Sequence, residues 1–304
     1  MEPVAAPADG RPTMDDRGLV ELNDTVPHVS EIEDGKATFD AKDLTTRQIN
    51  LELRSLIYDQ GILDVTVLNP GARHSLGVGI LARCRIRFEG SIGYFACGLI
   101  DGPEIHITGR VGWSACENMM SGVVVIDGNA GSLTGAAMRG GDLLVKGRVG
   151  ARTGIDQKGG TIIVCGDAGS LTGAAMRGGY LVIKGRVGAR TGVDQKGGTI
   201  IVCGDAGSMN GFMLQRGRQI ILGNVGPGLG DSMYDGTIYV GGKVRSLGID
   251  CVPGEWTDAD TEFVERKFRI YGLGAPPELQ KFVCGKKLYN YDNLEPSERK
   301  LVIH

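Results

Sequence analysis

Little in this sequence belongs to a catalyst that works alone. No serine elbow, P-loop, H-E-x-x-H or EF-hand spacing occurs. The four histidines, His28, His74, His106 and His304, are scattered without ligand spacing, which argues against a zinc site. The seven cysteines, Cys84, Cys97, Cys116, Cys165, Cys203, Cys251 and Cys284, include no C-x-x-C pair, so buried thiols in a reducing cytosol are expected. No apolar run reaches eighteen residues, and the acidic, proline-containing start is unlike a secretory leader. A cytoplasmic chain without a membrane span follows as the expectation. Aromatics are only 6% of residues and the net charge is −3, so the basic excess and interleaved rings of a nucleic-acid binder are missing too.

Glycine is abundant instead, with 50 residues, and its placement is periodic. One column recurs every nineteen residues at Gly90, Gly109, Gly128, Gly147, Gly166, Gly185, Gly204, Gly223 and Gly242. A second follows three residues later, from Gly93 to Gly226. A fixed period near twenty marks stacked repeats.

Each repeat opens on a β-branched run such as Ile162-Ile163-Val164, suited to a half-buried strand, and Gly-x-x-Gly ends it. Glycine there is expected to supply positive φ and close backbone approach. Helical repeats fail, because several glycines per coil would each cost roughly 1 kcal/mol against alanine. The leucine and asparagine pattern of leucine-rich repeats is absent. The fold class read from the sequence is therefore all-β, a right-handed parallel β-helix of 19-residue coils with short flanking helices. About nine coils at roughly 4.8 Å per step would make a rod on the order of 40 Å long.

Stacking places equivalent residues side by side. The position after the first glycine runs Arg110, Asn129, Arg148, Asp167, Arg186, Asp205, Asn224, Lys243. Its alternating signs predict a stabilising ladder. A second column, Arg139, Lys158, Arg177 and Lys196, does not alternate. It is read either as a solvated face, two of its charges offset by Asp156 and Asp194, or as a dock for an acidic partner surface. Residues 124–161 and 162–199 differ at nine of thirty-eight positions, so one pair of coils is a duplicate that lengthens the rod.

Four segments result. Residues 1–43 carry eleven acids against four bases and are expected to form an extended arm. Residues 44–84 hold a helix and an amino-terminal cap, with Thr45 and Gln48 as a capping box and Ile49, Leu53 and Leu56 on one face. The β-helix occupies 85–250. Residues 251–304 contain a second helix, capped at Thr257 and Asp260 with Val264, Phe268 and Tyr271 on one face, then a tail with Tyr289, Tyr291, Leu301 and Val302. Both helices are placed where a solenoid end would otherwise expose strand edges.

These coils resemble the β-helical, GXGXG-type carboxy-terminal domain of glutamate synthase large subunits. His74-Ser75-Leu76-Gly77-Val78-Gly79 through Ile92–Gly98 is similar to the entry coil. Ala115-Cys116-Glu117-Asn118-Met119-Met120-Ser121-Gly122 is similar to the A-E-N-M-M-S-G segment of stand-alone versions. Gly228-Leu229-Gly230-Asp231-Ser232-Met233-Tyr234, with Ile238-Tyr239-Val240 and Ser246-Leu247-Gly248, is similar to their closing coils. Those versions are middle subunits of split complexes, N-methylglutamate synthase among them, and the likeness covers roughly residues 45–290. The extra coils between 124 and 199 and the acidic arm depart from it.

The resemblance implies a hetero-oligomer in which this chain is a structural subunit without catalytic residues, cofactor or metal. Its partners would be a glutamine amidotransferase-like subunit and a synthase-like subunit carrying FMN and an iron–sulfur cluster. The same coils are similar to the β-helical subunit of formylmethanofuran dehydrogenase and its counterpart in the bacterial formyltransferase–hydrolase complex, which is the alternative. A third reading is a free-standing binding rod or small enzyme, with Glu117 and Asn118 as its first candidate residues; both also suit corner backbone groups.

Overall fold

A computed structural model describes residues 31–285 together with Thr13–Met14 and Val20–Glu21. The last two pairs are strands β1 and β2, antiparallel to each other. Everything else β-structured belongs to a single sheet of fourteen strands. Its body is the run β6 (Arg85–Glu89), β7 (Glu104–Ile107), β8 (Val123–Ile126), β9 (Asp142–Val145), β10 (Thr161–Val164), β11 (Tyr180–Ile183), β12 (Lys196–Val202), β13 (Arg216–Ile221) and β14 (Thr237–Val240). Each pairs in parallel with the next, and equivalents stand nineteen residues apart, as in Thr161↔Tyr180. The expected parallel solenoid is therefore what the chain builds.

Alternation along each strand sends one set of side chains inward. The columns Ile105–Val124–Leu143–Ile162–Leu181–Ile200 and Ile107–Ile126–Val145–Val164–Ile183–Val202 are at most 2% exposed and fill the interior. Below them Thr134, Thr153, Thr172 and Thr191 are wholly buried, and each hydroxyl donates to the glycine carbonyl three residues earlier.

The metronomic glycines are needed for space rather than for φ. Along the first column only Gly90 has a positive φ. A Cβ on Gly109 would lie 2.4 Å from the carbonyl carbon of Gly90, and one on Gly242 equally close to Gly223. The coils touch backbone to backbone here, and no side chain fits between them. Positive φ falls elsewhere, on glycines of other columns such as Gly135, Gly154 and Gly173, and on non-glycine corner residues, of which Leu99, Asn118, Ala137, Asp156, Ala175, Asp194, Met213 and Ser232 form one column between 52° and 58°. Each such residue costs of order 1–2 kcal/mol in isolation. The neighbouring coils hold them, as when the amides of Ala137 and Asp156 donate to Ile155 and Ala174 of the following coil.

The ends differ from expectation in two respects. Parallel pairing begins well before residue 85, with β4 (Lys36–Asp40) on β5 (Asp64–Leu68) and β5 on β6. The hairpin formed by β3 (Glu31–Glu33) and β4 closes that edge, so the expected extended arm ends at least twelve residues early. The rest of the arm lies largely outside the described residues. Helix α1 (Thr46–Arg54) begins at the expected Thr45–Gln48 capping box, continues as a π-helical turn, and forms the crossover between β4 and β5. Ile49, Leu53 and Leu56 are fully buried, and Asn50 bonds Ser75 and Gly77 of the next coil, so this helix covers the amino-terminal coil as expected.

Helix α2 (Asp258–Tyr271) has its Thr257–Asp260 capping box, but it does not close the far end. That edge is taken by β16 (Gln280–Cys284), antiparallel to β14, and by β15 (Cys251–Pro253) beyond it. Tyr289, Tyr291, Leu301 and Val302 lie outside the described residues.

Candidate interaction face

The middle residue of each strand points away from the core. Ladder register lines these residues up as Thr38, Thr66, Arg87, His106, Val125, Leu144, Ile163, Val182, Ile201, Ile220 and Tyr239. Helix α2 lies over the last four. Val182, Ile201, Ile220 and Tyr239 are wholly buried against Val264 and Phe268, with Phe263, Tyr271, Leu273 and Leu279 at the margin. This explains why β11 to β14 are buried on consecutive residues, whereas β7 to β9 alternate.

The helix is pinned at both ends. At its start the Tyr239 hydroxyl donates to Asp260 Oδ1 at 2.6 Å, and Lys281 Nζ reaches Asp260 Oδ2 at 2.7 Å. Burial pushes the Asp260 carboxyl up, but hydrogen bonds from Lys281, Tyr239 and Thr257 outweigh it and hold the group well below the usual carboxylate range. Burial, with the Asp260 carboxylate beside it, raises the Tyr239 phenol. Toward the far end the Lys267 ammonium sits 4.1 Å over the Tyr180 ring.

The other half of the same face has no such cover among the described residues. Val125 and Leu144 are half-buried, Val123 beside them is 40% exposed, and Ile163 forms the boundary, half-buried against the edge of the α2 cluster. A charged chain across successive coils borders this apolar strip. Arg87 Nη1 lies 2.6 Å from His106 Nδ1, His106 Nε2 lies 2.8 Å from Asp127, and Lys146 lies 2.7 Å from Asp127. Arginine only donates, so Nδ1 accepts from Arg87 and Nε2 carries the hydrogen given to Asp127. Hydrogen bonds from Lys146 and His106 hold the Asp127 carboxyl below its ordinary value against some burial. A cleft of about 730 Å³ opens here, lined by Arg85, Arg87, His106, Val123, Val125 and Lys146 among others. Most of its charged groups pair with one another, so it presents a patterned surface of ion pairs beside apolar residues.

The basic column read from the sequence is half neutralised. Lys158 and Arg177 both reach Asp156, at 3.1 and 2.8 Å, and Lys196 reaches Asp194 at 3.0 Å. Asp156 and Asp194 thus pair with three of the four side chains and offset two of the four charges; Arg139 is exposed and shows no ion pair among the described residues. The alternating ladder is present in altered form. Its ion pair is Arg186–Asp167 at 3.1 Å, and its main service is to the backbone. Asn129, Asp167, Asp205 and Asn224 each accept the amide of the residue nineteen positions on.

Glu117 and Asn118 sit in a corner, where Glu117 accepts the Leu99 amide and Asn118 is left-handed and donates to Ala136. Cys97 and Cys116 are fully buried and Cys84 and Cys251 nearly so, but Cys165 is exposed, contrary to expectation, because its position follows the strand at the corner. Among the described residues no group of three or more His, Cys, Asp and Glu side chains is placed to hold a metal ion. No helix among them is long and apolar enough to cross a membrane.

His74, Tyr94 and Trp113, which the sequence pattern did not bring together, stack on successive coils. Their ring centroids lie 4.5 and 5.5 Å apart, and Tyr94 and Trp113 are about half exposed. The rings lie over Gly93, Gly112 and Gly131, where a Cβ would collide with them. For Tyr94 and Trp113 the signal was the residue after the second glycine, aromatic in two neighbouring coils; His74, preceded by Arg73, carries no such signal.

No family model matches the chain. Protein GlxC of Rhizobium meliloti (strain 1021) is 36% identical over 80 residues, which cover 26% of this chain and 35% of that protein. The match spans about a third of the relative's length. Among solved structures, a chain of the formyltransferase/hydrolase complex (FhcABCD) from Methylorubrum extorquens, in complex with methylofuran, superposes with a TM-score of 0.50 at 21% identity. The likeness covers 62% of this chain and 67% of that one, and it is a likeness of fold.

Proposed function

We propose that this chain is a structural, non-catalytic subunit of a multi-subunit glutamate-synthase-like complex. It holds a glutamine amidotransferase-like subunit and an FMN- and iron–sulfur-carrying synthase-like subunit together, carries no cofactor itself, and works in the cytoplasm. One observation carries the scaffold role: the outward column is sealed by α2 over β11–β14, with Ile163 of β10 at its margin, and left open over β8 and β9, so part of one continuous apolar strip awaits a cover. The C-E-N-M-M-S-G stretch of Cys116–Gly122 and the G-D-S-M-Y stretch of Gly230–Tyr234 support the glutamate-synthase-like assignment, and the short match to Protein GlxC is consistent with it. The alternative, the β-helical subunit of a formyltransferase/hydrolase-type or formylmethanofuran dehydrogenase complex, is favoured by the fold likeness to a chain of FhcABCD.

Co-purification tests both. The full chain is expected to bring down an amidotransferase-like and a flavoprotein-like subunit, and Val125→Glu with Leu144→Glu is expected to abolish this while the chain still melts as one unit. Amidohydrolase-like and formyltransferase-like partners would give the case to the alternative. Flavin absorbance retained by the isolated chain would overturn the scaffold role. The basic column is a second proposed dock. Because Asp156 and Asp194 already pair with three of its side chains, Arg139→Glu should weaken assembly more than Lys158→Gln does.

A further inference from the structure

At the carboxy-terminal edge two thiols face each other. Cys251 opens β15, Cys284 ends β16, and the ladder places them directly opposite. The amide of Gly285 donates to Asp250 at 2.8 Å and that of Gly254 to Lys281 at 2.9 Å. These bonds flank the Cys251–Cys284 and Pro253–Phe282 pairs, so Cys251 and Cys284 occupy a non-hydrogen-bonded position of an antiparallel ladder. Such positions bring Cα atoms to about 4.5 Å with both side chains on one face. That separation lies within the range a disulfide spans, about 4.4–6.8 Å. Of the cysteines with equivalent coil positions, Cys97 and Cys116 are one coil apart but fully buried and out of reach of solution reagents, and Cys165 and Cys203 are separated by an intervening coil.

We infer that Cys251 and Cys284 are a modification site, a thiol pair that closes to a cross-strand disulfide by exchange with a small-molecule disulfide of the glutathione type. Cys284 is the half-exposed partner, its Sγ resting 3.2 Å from the Met233 carbonyl oxygen, so it meets the reagent first. Its thiolate attacks one sulfur of the reagent and one small thiol leaves. Cys251, only 4% exposed, then gives up its proton to solvent and attacks the Cys284 sulfur, expelling the second small thiol. Two protein thiols lose two hydrogens, and one external disulfide becomes two thiols. Burial pushes the Cys251 thiol up to about 12, so the second step is the slow one. The bond would close a loop that contains the whole of α2, restraining the unfolded chain and tying the cover of the sealed half to the solenoid end.

The test uses the full-length chain equilibrated in glutathione buffers from reducing to oxidising, quenched by alkylation and mapped by peptide mass spectrometry. The expected product is a peptide joining Cys251 to Cys284, formed with a rise in melting temperature that dithiothreitol reverses. Cys284→Ser and Cys251→Ser should each remove both signals. Cys284→Ser, at the more exposed partner, decides the matter if the buried substitution unfolds the chain. A stable glutathione adduct on Cys284, a link between Cys97 and Cys116, or unchanged thiols in every buffer would overturn the inference.

Discussion

Val125 and Val182 occupy the same register position three coils apart, and their surroundings differ only on the outside. Behind them the interior repeats: Val124 and Leu181 are both fully buried, as are Ile126 and Ile183. In front, Val182 is sealed by α2 while Val125 is half open. The solenoid thus stabilises its two halves equally through the core and treats their outer faces oppositely. An outward apolar residue is a packing residue only where something covers it, and otherwise it is available for contact.

The sealed half should fail first and hardest when its cover is damaged. Phe268→Ala removes a 1% exposed ring from beneath α2 and is expected to cost about 3–5 kcal/mol, measured by denaturant unfolding. Acid should act at the same place. Asp260 has a lowered folded pKa, so its contribution is fully present above the ordinary carboxylate value of about 4 and is lost as pH falls through the folded value. Trp256 packs edge-on against Tyr239 and donates to Thr261, and Trp113 is the other of only two tryptophans. In a Trp113→Phe background, Trp256 fluorescence should therefore report an acid transition that Asp260→Asn removes. A transition unchanged by Asp260→Asn would detach α2 from this carboxylate.

The matched pair of valines gives a smaller and cleaner effect. Val182→Ala should cost about 2 kcal/mol, because the methyls leave a closed space. Val125→Ala should stay within about 0.5 kcal/mol, as open surface positions do. Equal losses in chemical denaturation would erase the distinction between the halves. Addition of a purified partner should raise the cost at Val125 toward that at Val182.

Much of this was legible in the residues. The nineteen-residue spacing fixes the coil, since backbone contact between glycines leaves no other separation that works, and both capping boxes start their helices at the expected residues. Where α2 would lie was not legible. Val264 and Phe268 show an apolar face but not the surface that receives it, and Val182-Ile183 reads the same whether its outer residue is covered or not. The sharing of Asp156 by Lys158 and Arg177 was hidden for the same reason: one partner lies on its own coil and the other on the next. The open strip itself is visible only once the cover over its neighbour is known.

The interior that the two halves share is least uniform at its buried amides. In the inward column that runs Met119, Met138, Gln157, Met176, Gln195, Leu214, two members are amides among apolar neighbours. Gln157 is wholly buried, and its Nε2 donates to the carbonyls of Gly159, Gly160 and Tyr180. Its Oε1 has no partner among the described residues, which carries a cost of about 1–3 kcal/mol against a net gain of about 1 kcal/mol for a typical hydrogen bond. Gly160 also accepts the Tyr180 amide, so losing Nε2 does not strip it bare. Methionine has nearly the same shape and already fills this position one coil either side. Gln157→Met should therefore be neutral to stabilising by at most about 1 kcal/mol, whereas Gln157→Ala, which leaves a cavity, should destabilise. A loss above about 2 kcal/mol for the methionine variant, read from the same denaturation curves, would mean the amide organises the corner and the interior is not interchangeable along its length.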